Sequence, residues 1–170
     1  MKRLVALGFS VVFGLAALGA RPADAAAPDR LGPFVGQFQG QSGPTPGSLY
    51  TPLWSKPTPF DLSVERHNDE LIFAVGGFNS VIMRFVPISD RLYVLRTNRG
   101  AGGAKESGFA WVDGDTLTIE RKLERPGQPA LGMRFVVSFE DDHRRLAVYT
   151  TKDGKDPVEV MDTALKGAED

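Results

Sequence analysis

The chain has 170 residues, 20 Lys+Arg against 21 Asp+Glu, no cysteine, and a 42% hydrophobic share that is enough for an ordinary core. The missing cysteine excludes disulfides, thiol catalysis and cysteine-ligated metal. Acidic and basic residues are interspersed without a polybasic block, which argues against nucleic acid as a partner.

The chain opens MKRLVALGFSVVFGLAALGARPADAAAPDR. Lys2 and Arg3 precede an uncharged apolar run from Leu4 to Ala20, and Ala23-Asp24-Ala25 has the A-x-A form of a leader cut site. The run approaches the roughly 18-residue lower edge of a membrane span. Its glycines, the cut motif and the lack of a positive stop-transfer cluster favour a cleaved leader, 1–25, cut after Ala25 or after Ala27. With no cysteine there is no lipid anchor, so a periplasmic or secreted protein is expected, with no later segment able to span a bilayer. Losing Lys2, Arg3, Arg21 and Asp24 leaves 17 Lys+Arg against 20 Asp+Glu, a mildly acidic mature chain. Its length suits one domain, expected over 28–165 and followed by a polar tail, 166–170.

The mature chain begins GPFVGQFQGQSGP (32–44). A phosphate-cradling loop would need a helix after these glycines. Instead QSGPTPGSLYTPLWSKPTP (41–59) holds five prolines and two glycines, which excludes one. FVGQFQG fits a strand with Phe34, Gly36, Phe38 and Gly40 on one face, the glycines marking tight curvature.

Alternation follows. Phe60, Leu62 and Val64 share one face of PFDLSVER, Leu117, Ile119 and Leu123 one face of DTLTIERKLE, and Leu131, Met133, Phe135, Val137 and Phe139 one face of LGMRFVVSFE. Period 2 predicts half-buried strands. Further strands are expected at 70–76, 81–87, 91–97, 107–112, 145–151 and 157–162. HND (67–69), SD (89–90), DG (113–114), DDH (141–143) and DGKD (153–156) fit hairpin turns, with Asp113-Gly114 the best match to a type I′ pair. NRGAGGAKE (98–106) predicts a loop and RPGQP (125–129) a proline-set turn. MRFVPISDRLYV (83–94) also resembles MRFVVSFEDDHRRLAVY (133–149), as two hairpins each with one buried face would, or as an ancient duplication would. The expected fold is all-β, an antiparallel up-and-down meander of about eight to ten strands that closes into a barrel to remove its edges.

The leading F-x-G-x-F-x-G strand resembles the G-x-W strand that opens lipocalins and their calycin relatives, with Phe38 where that family has Trp. F-x-W-x-DGDTLTIER (109–121) is similar to paired strands of bacterial lipocalin-like domains. The chain departs from the pattern in that Trp, in lacking an evident C-terminal helix, and in lacking a disulfide. The resemblance implies a barrel whose interior holds a small apolar or amphipathic ligand. No cofactor is expected: a nitrobindin-like haem barrel would want a late histidine ligand, and His67 and His143 both fall in turns.

No catalytic residue or metal site is predicted. There is no G-x-S-x-G, DDH does not converge on one ion, and DGKD lacks the spacing of a calcium loop. Arginines within strands are the candidate polar groups. Arg84 and Arg134 oppose Met83/Phe85 and Met133/Phe135, which points them outward. Arg96 continues Leu92-Val94, and Arg121 continues Leu117-Ile119, so either can face inward or escape to the rim. Fatty-acid-binding relatives use interior arginines on carboxylates, so the resemblance implies such a role for Arg96 and Arg121. The remaining candidate ligand contacts are Tyr93, Trp111, Phe73, Phe85, Met83, Met133 and Phe135, with Tyr50 and Trp54 as a lid in the proline-rich segment. Two alternatives stay open. One is a barrel enzyme of isomerase, cyclase or decarboxylase type acting on an organic acid through Arg, Tyr and Glu. The other is an envelope interaction module with a filled core.

Overall fold

The structure, a computed structural model, describes residues 29–42, 58–76, 81–96, 104–140 and 143–167. After a 3-10 turn at Gly32–Phe34 come β1 Gly36–Ser42, β2 Thr58–His67, β3 Glu70–Val75, β4 Val81–Pro87, β5 Leu92–Leu95, β6 Lys105–Asp113, β7 Thr116–Glu124, β8 Leu131–Glu140, β9 His143–Lys152 and β10 Val158–Gly167. Each strand pairs antiparallel with its neighbours in sequence, and β1 meets β10 through Phe38↔Gly167 and Gln39↔Lys166. The meander is therefore a closed ten-strand barrel. β10 extends through MDTALKG, into the expected tail. The expected leader, and Tyr50 and Trp54, expected as a lid, lie outside the described residues.

Turn chemistry sets the hairpins. His67 pairs with Glu70, leaving Asn68-Asp69 as a two-residue loop with Asn68 at φ 54, a conformation asparagine tolerates. At the β6–β7 turn the expected pair is corrected by one residue. Asp113 stays in the ladder opposite Thr116, so Gly114-Asp115 turns the chain, and of these only Gly114 has positive φ (55). The two-positive pattern of type I′ occurs instead at Asp153 (φ 53) and Gly154 (φ 69), where Lys155 N–H donates to the Lys152 carbonyl at 3.1 Å.

The opening glycines make room for rings. Gly36 has φ +154, and a Cβ there would lie 2.8 Å from the Phe38 ring; one at Gly40 would lie 2.6 Å from the Phe60 ring. Phe34 is corrected from strand to 3-10 turn. That turn plugs one end of the barrel with Leu31 and Phe34, each 1% exposed. Phe34 packs on Phe139 with ring centroids 5.0 Å apart. The Arg144 guanidinium lies 4.6 Å from the Phe38 ring centroid and 4.9 Å from that of Phe139, and donates to the Pro33 carbonyl at 3.1 Å. Beyond the plug the described inward side chains pack together. Phe73, Phe85, Met83, Leu62, Leu117, Ile119 and Leu146 are buried, and the Phe73 and Phe135 rings sit 5.3 Å apart.

Asp29 fastens the plug. Its carboxylate accepts from the Gly32 N–H at 3.0 Å and pairs with Arg66 on β2. The Arg66 hydrogen bond holds the Asp29 carboxyl below its ordinary value, against an opposing but smaller effect of burial. A carboxyl depressed on folding stabilises above its unfolded value near 4, and that stabilisation is lost as pH falls through the folded value. Both side chains are about half exposed, so solvent screening keeps the effect below about 1 kcal/mol. Asp162, depressed by Arg145, titrates in the same direction. Comparing denaturation midpoints of wild type and Asp29→Asn isolates the plug. The difference should be present at pH 6 and shrink below pH ~4; a difference constant across that range would remove Asp29 from this role.

Candidate ligand site at the barrel mouth

At the end opposite the plug, five inward positions meet around one polar pair. Opposite residues of antiparallel strands share a face, and the register places Gly108↔Arg121, Glu106↔Leu123, Arg121↔Met133, Leu123↔Leu131 and Met133↔Thr150. Arg121 continues the face of Leu117 and Ile119, both 0% exposed, so it points inward. Its Nε donates to Glu106, the diagonal neighbour across β6 and β7. The two side chains are 23% and 22% exposed. Gly108, directly opposite Arg121, brings the strands close: a Cβ there would lie 2.1 Å from the Glu120 carbonyl oxygen.

Arg121, Leu123, Leu131, Gly132, Met133 and Thr150 enclose a cavity of about 90 Å³. A 150 Å³ apolar cavity holds one benzene, so this one admits about four heavy atoms. A shallower recess of about 390 Å³ on the outer wall shares Arg121, Gly132 and Met133 with it and runs past Phe109, Arg134 and Lys155. Gly132 lines both, and a Cβ there would meet the Thr151 hydroxyl.

The sequence-predicted residues separate into three groups. Arg121 and Met133 line the mouth cavity. Phe73, Phe85, Met83 and Phe135 belong to the packed interior. Tyr93 is buried toward the plug, where burial raises its phenol above its ordinary value. The inward placements considered for Arg96 and Trp111 are corrected. On β5 the inward residues are Tyr93 and Leu95, opposite Pro87 and Phe85, and this turns Arg96 outward to pair with Glu70 at 2.9 Å. Trp111 faces outward between Leu92 and Thr118, while Ala110 and Val112 beside it are 0% and 3% exposed.

Glu106 and Thr150 were not among the candidates. The available signal for Glu106 was that it shares its strand face with Gly108, Ala110 and Val112, the small residues. Tyr93 does not join Arg121 and Glu106, and Tyr149 lies on the outer wall opposite Arg134 and Glu159. An interior Arg–Tyr–Glu cluster is not assembled among the described residues. Nor do three or more His, Asp or Glu side chains come together there as a metal site would need.

No protein-family model and no curated protein matches the sequence. Solved structures do. Rv2717c from M. tuberculosis superposes with a TM-score of 0.52 at 14% identity, covering 84% of this chain and 99% of that one. The REP1-NXSQ fatty acid transporter gives 0.50 at 8% identity, covering 81% and 98%. Apo lipid binding protein 8 of Caenorhabditis elegans gives 0.50 at 10%, covering 79% and 95%. The chain shares the fold of these proteins, a closed antiparallel β-barrel of lipocalin-like form. At such identities the likeness is one of fold, and the mouth of this barrel is described by its own residues.

Proposed function

We propose that the protein is an exported lipocalin-like barrel that binds a small amphipathic molecule non-covalently, with the polar end of the ligand at Arg121. The observation that carries this is the Arg121–Glu106 pair, mostly buried, facing inward beside an apolar cavity at the end opposite the plug. Such a pair returns little net stability for its desolvation, and it offers directional hydrogen bonds next to apolar walls, as ligand sites do. Two proteins of the same fold are described as a fatty acid transporter and a lipid binding protein, which favours the same class of ligand here. At about 90 Å³ this cavity takes only the end of such a molecule. Lys2-Arg3, the apolar run and Ala23-Asp24-Ala25 support export to the periplasm or beyond.

Native mass spectrometry of protein purified from its own host should show a bound small molecule that Arg121→Met reduces at least tenfold. Sequencing of the mature protein should begin at Ala26 or Pro28. Repeated absence of any adduct, together with no binding of the neutral dye Nile red, would sink the carrier proposal.

A further inference from the structure

We infer that the mouth selects an uncharged head, a carbonyl or hydroxyl oxygen on an apolar chain, over a carboxylate or an ammonium. This rests on the mouth being a binding site and names the class of molecule it takes. The ligand meets Arg121 with its charge already compensated, because the Nε donates to Glu106 and the two side chains are buried to the same extent. Among the described residues the only other charged side chain at an inward position near the mouth is Lys152, opposite Leu131 at the rim; it is exposed and does not line the cavity.

An entering carboxylate would set a second anion beside Glu106 in a largely dry site, and an entering ammonium a second cation beside Arg121. Like charges brought together away from water are costly. A neutral oxygen meets neither penalty. The Nη groups of Arg121 make no hydrogen bond to any described residue, so they are free to donate to it. The apolar wall of Leu123, Leu131 and Met133 takes the adjoining carbons.

The test is a matched hexyl series, hexanamide, 1-hexanol, hexanoate and hexylammonium, titrated at pH 7 against the full mature chain and followed by NMR shifts of the Arg121 side-chain Nε–H and the Met133 methyl. Hexanamide and hexanol should bind at least tenfold more tightly than either charged member. Glu106→Gln, which uncovers the guanidinium, should reverse the order so that hexanoate leads by about tenfold. Arg121→Gln should favour hexylammonium, and the double variant should show no charge preference; circular dichroism verifies that each is folded. Hexanoate binding wild type as tightly as hexanamide would overturn the inference while leaving the binding site standing. No response from any of the four would overturn the binding site itself, and this inference with it.

Discussion

Phe73→Ala is expected to lower the unfolding free energy by about 3–5 kcal/mol, the range for truncating a buried phenylalanine. Phe73 is 0% exposed, sits between Val64 of β2 and Met83 of β4, and packs its ring on Phe135 from the far wall. The loss combines lost transfer free energy with a cavity that a closed barrel collapses poorly, since every strand is held by two neighbours. A domain of this size has about 5–15 kcal/mol in total, so the change is large enough to read directly in a urea denaturation midpoint. Phe109 supplies the control, because it is 46% exposed on the outer wall. Phe109→Ala should cost less than about 1 kcal/mol. Equal losses at the two sites would mean that the interior is not packed around Phe73.

Gly108→Ala is the second large effect, expected near 3 kcal/mol, at the upper end of overpacking. The added methyl would meet the Glu120 carbonyl oxygen at 2.1 Å and the Arg121 Cα at 3.3 Å. Both are backbone of the adjacent strand, so relief requires β6 and β7 to part at the pair that carries Arg121. Ligand binding should therefore fall together with stability, whereas Phe73→Ala should weaken stability more than it weakens binding in the protein that remains folded. Gly114→Ala provides the comparison: its φ is +55 with nothing within 4 Å of the added atom, so it carries only the conformational cost, about 1 kcal/mol. A Gly108→Ala protein as stable as Gly114→Ala would show that β6 and β7 are not in such close approach.

Several features of the mouth were legible in the order of residues and others were not. For Arg121 the order of residues allowed an inward place, since period 2 carries the face of Leu117 and Ile119 two residues further, but it left the rim as the alternative. Arg96 was not legible, because RLYVLRT is apolar on both faces: Leu92 and Val94 compete with Tyr93 and Leu95 for the interior. The partner strand decides between them, through Phe85↔Leu95 and Pro87↔Tyr93. In GFAWV the large residue Trp111 was the candidate for the interior, yet Ala110 and Val112 face in. They share one core cluster with Phe73, Phe85 and Phe135, and a close-packed interior admits only what volume remains. Glu106 was missed for the same reason, since it lies on the face of these small residues.

From the sequence alone follow the alternation that makes strands, the turn residues between them, and hence the antiparallel meander. These are local properties, set by side-chain period and by the few residues that accept positive φ. The one-residue displacement of the turn at Gly114-Asp115 is the extent to which pairing adjusts them. Only the tertiary structure decides that β1 closes on β10, that a short turn around Leu31 and Phe34 stoppers one end, and that Phe73, Phe85 and Phe135 share one packed core. It also decides that the arginine at the mouth meets Glu106, fifteen residues away in the chain. Each of these depends on volumes and charges brought together across the barrel, and no period along one strand encodes what stands opposite it.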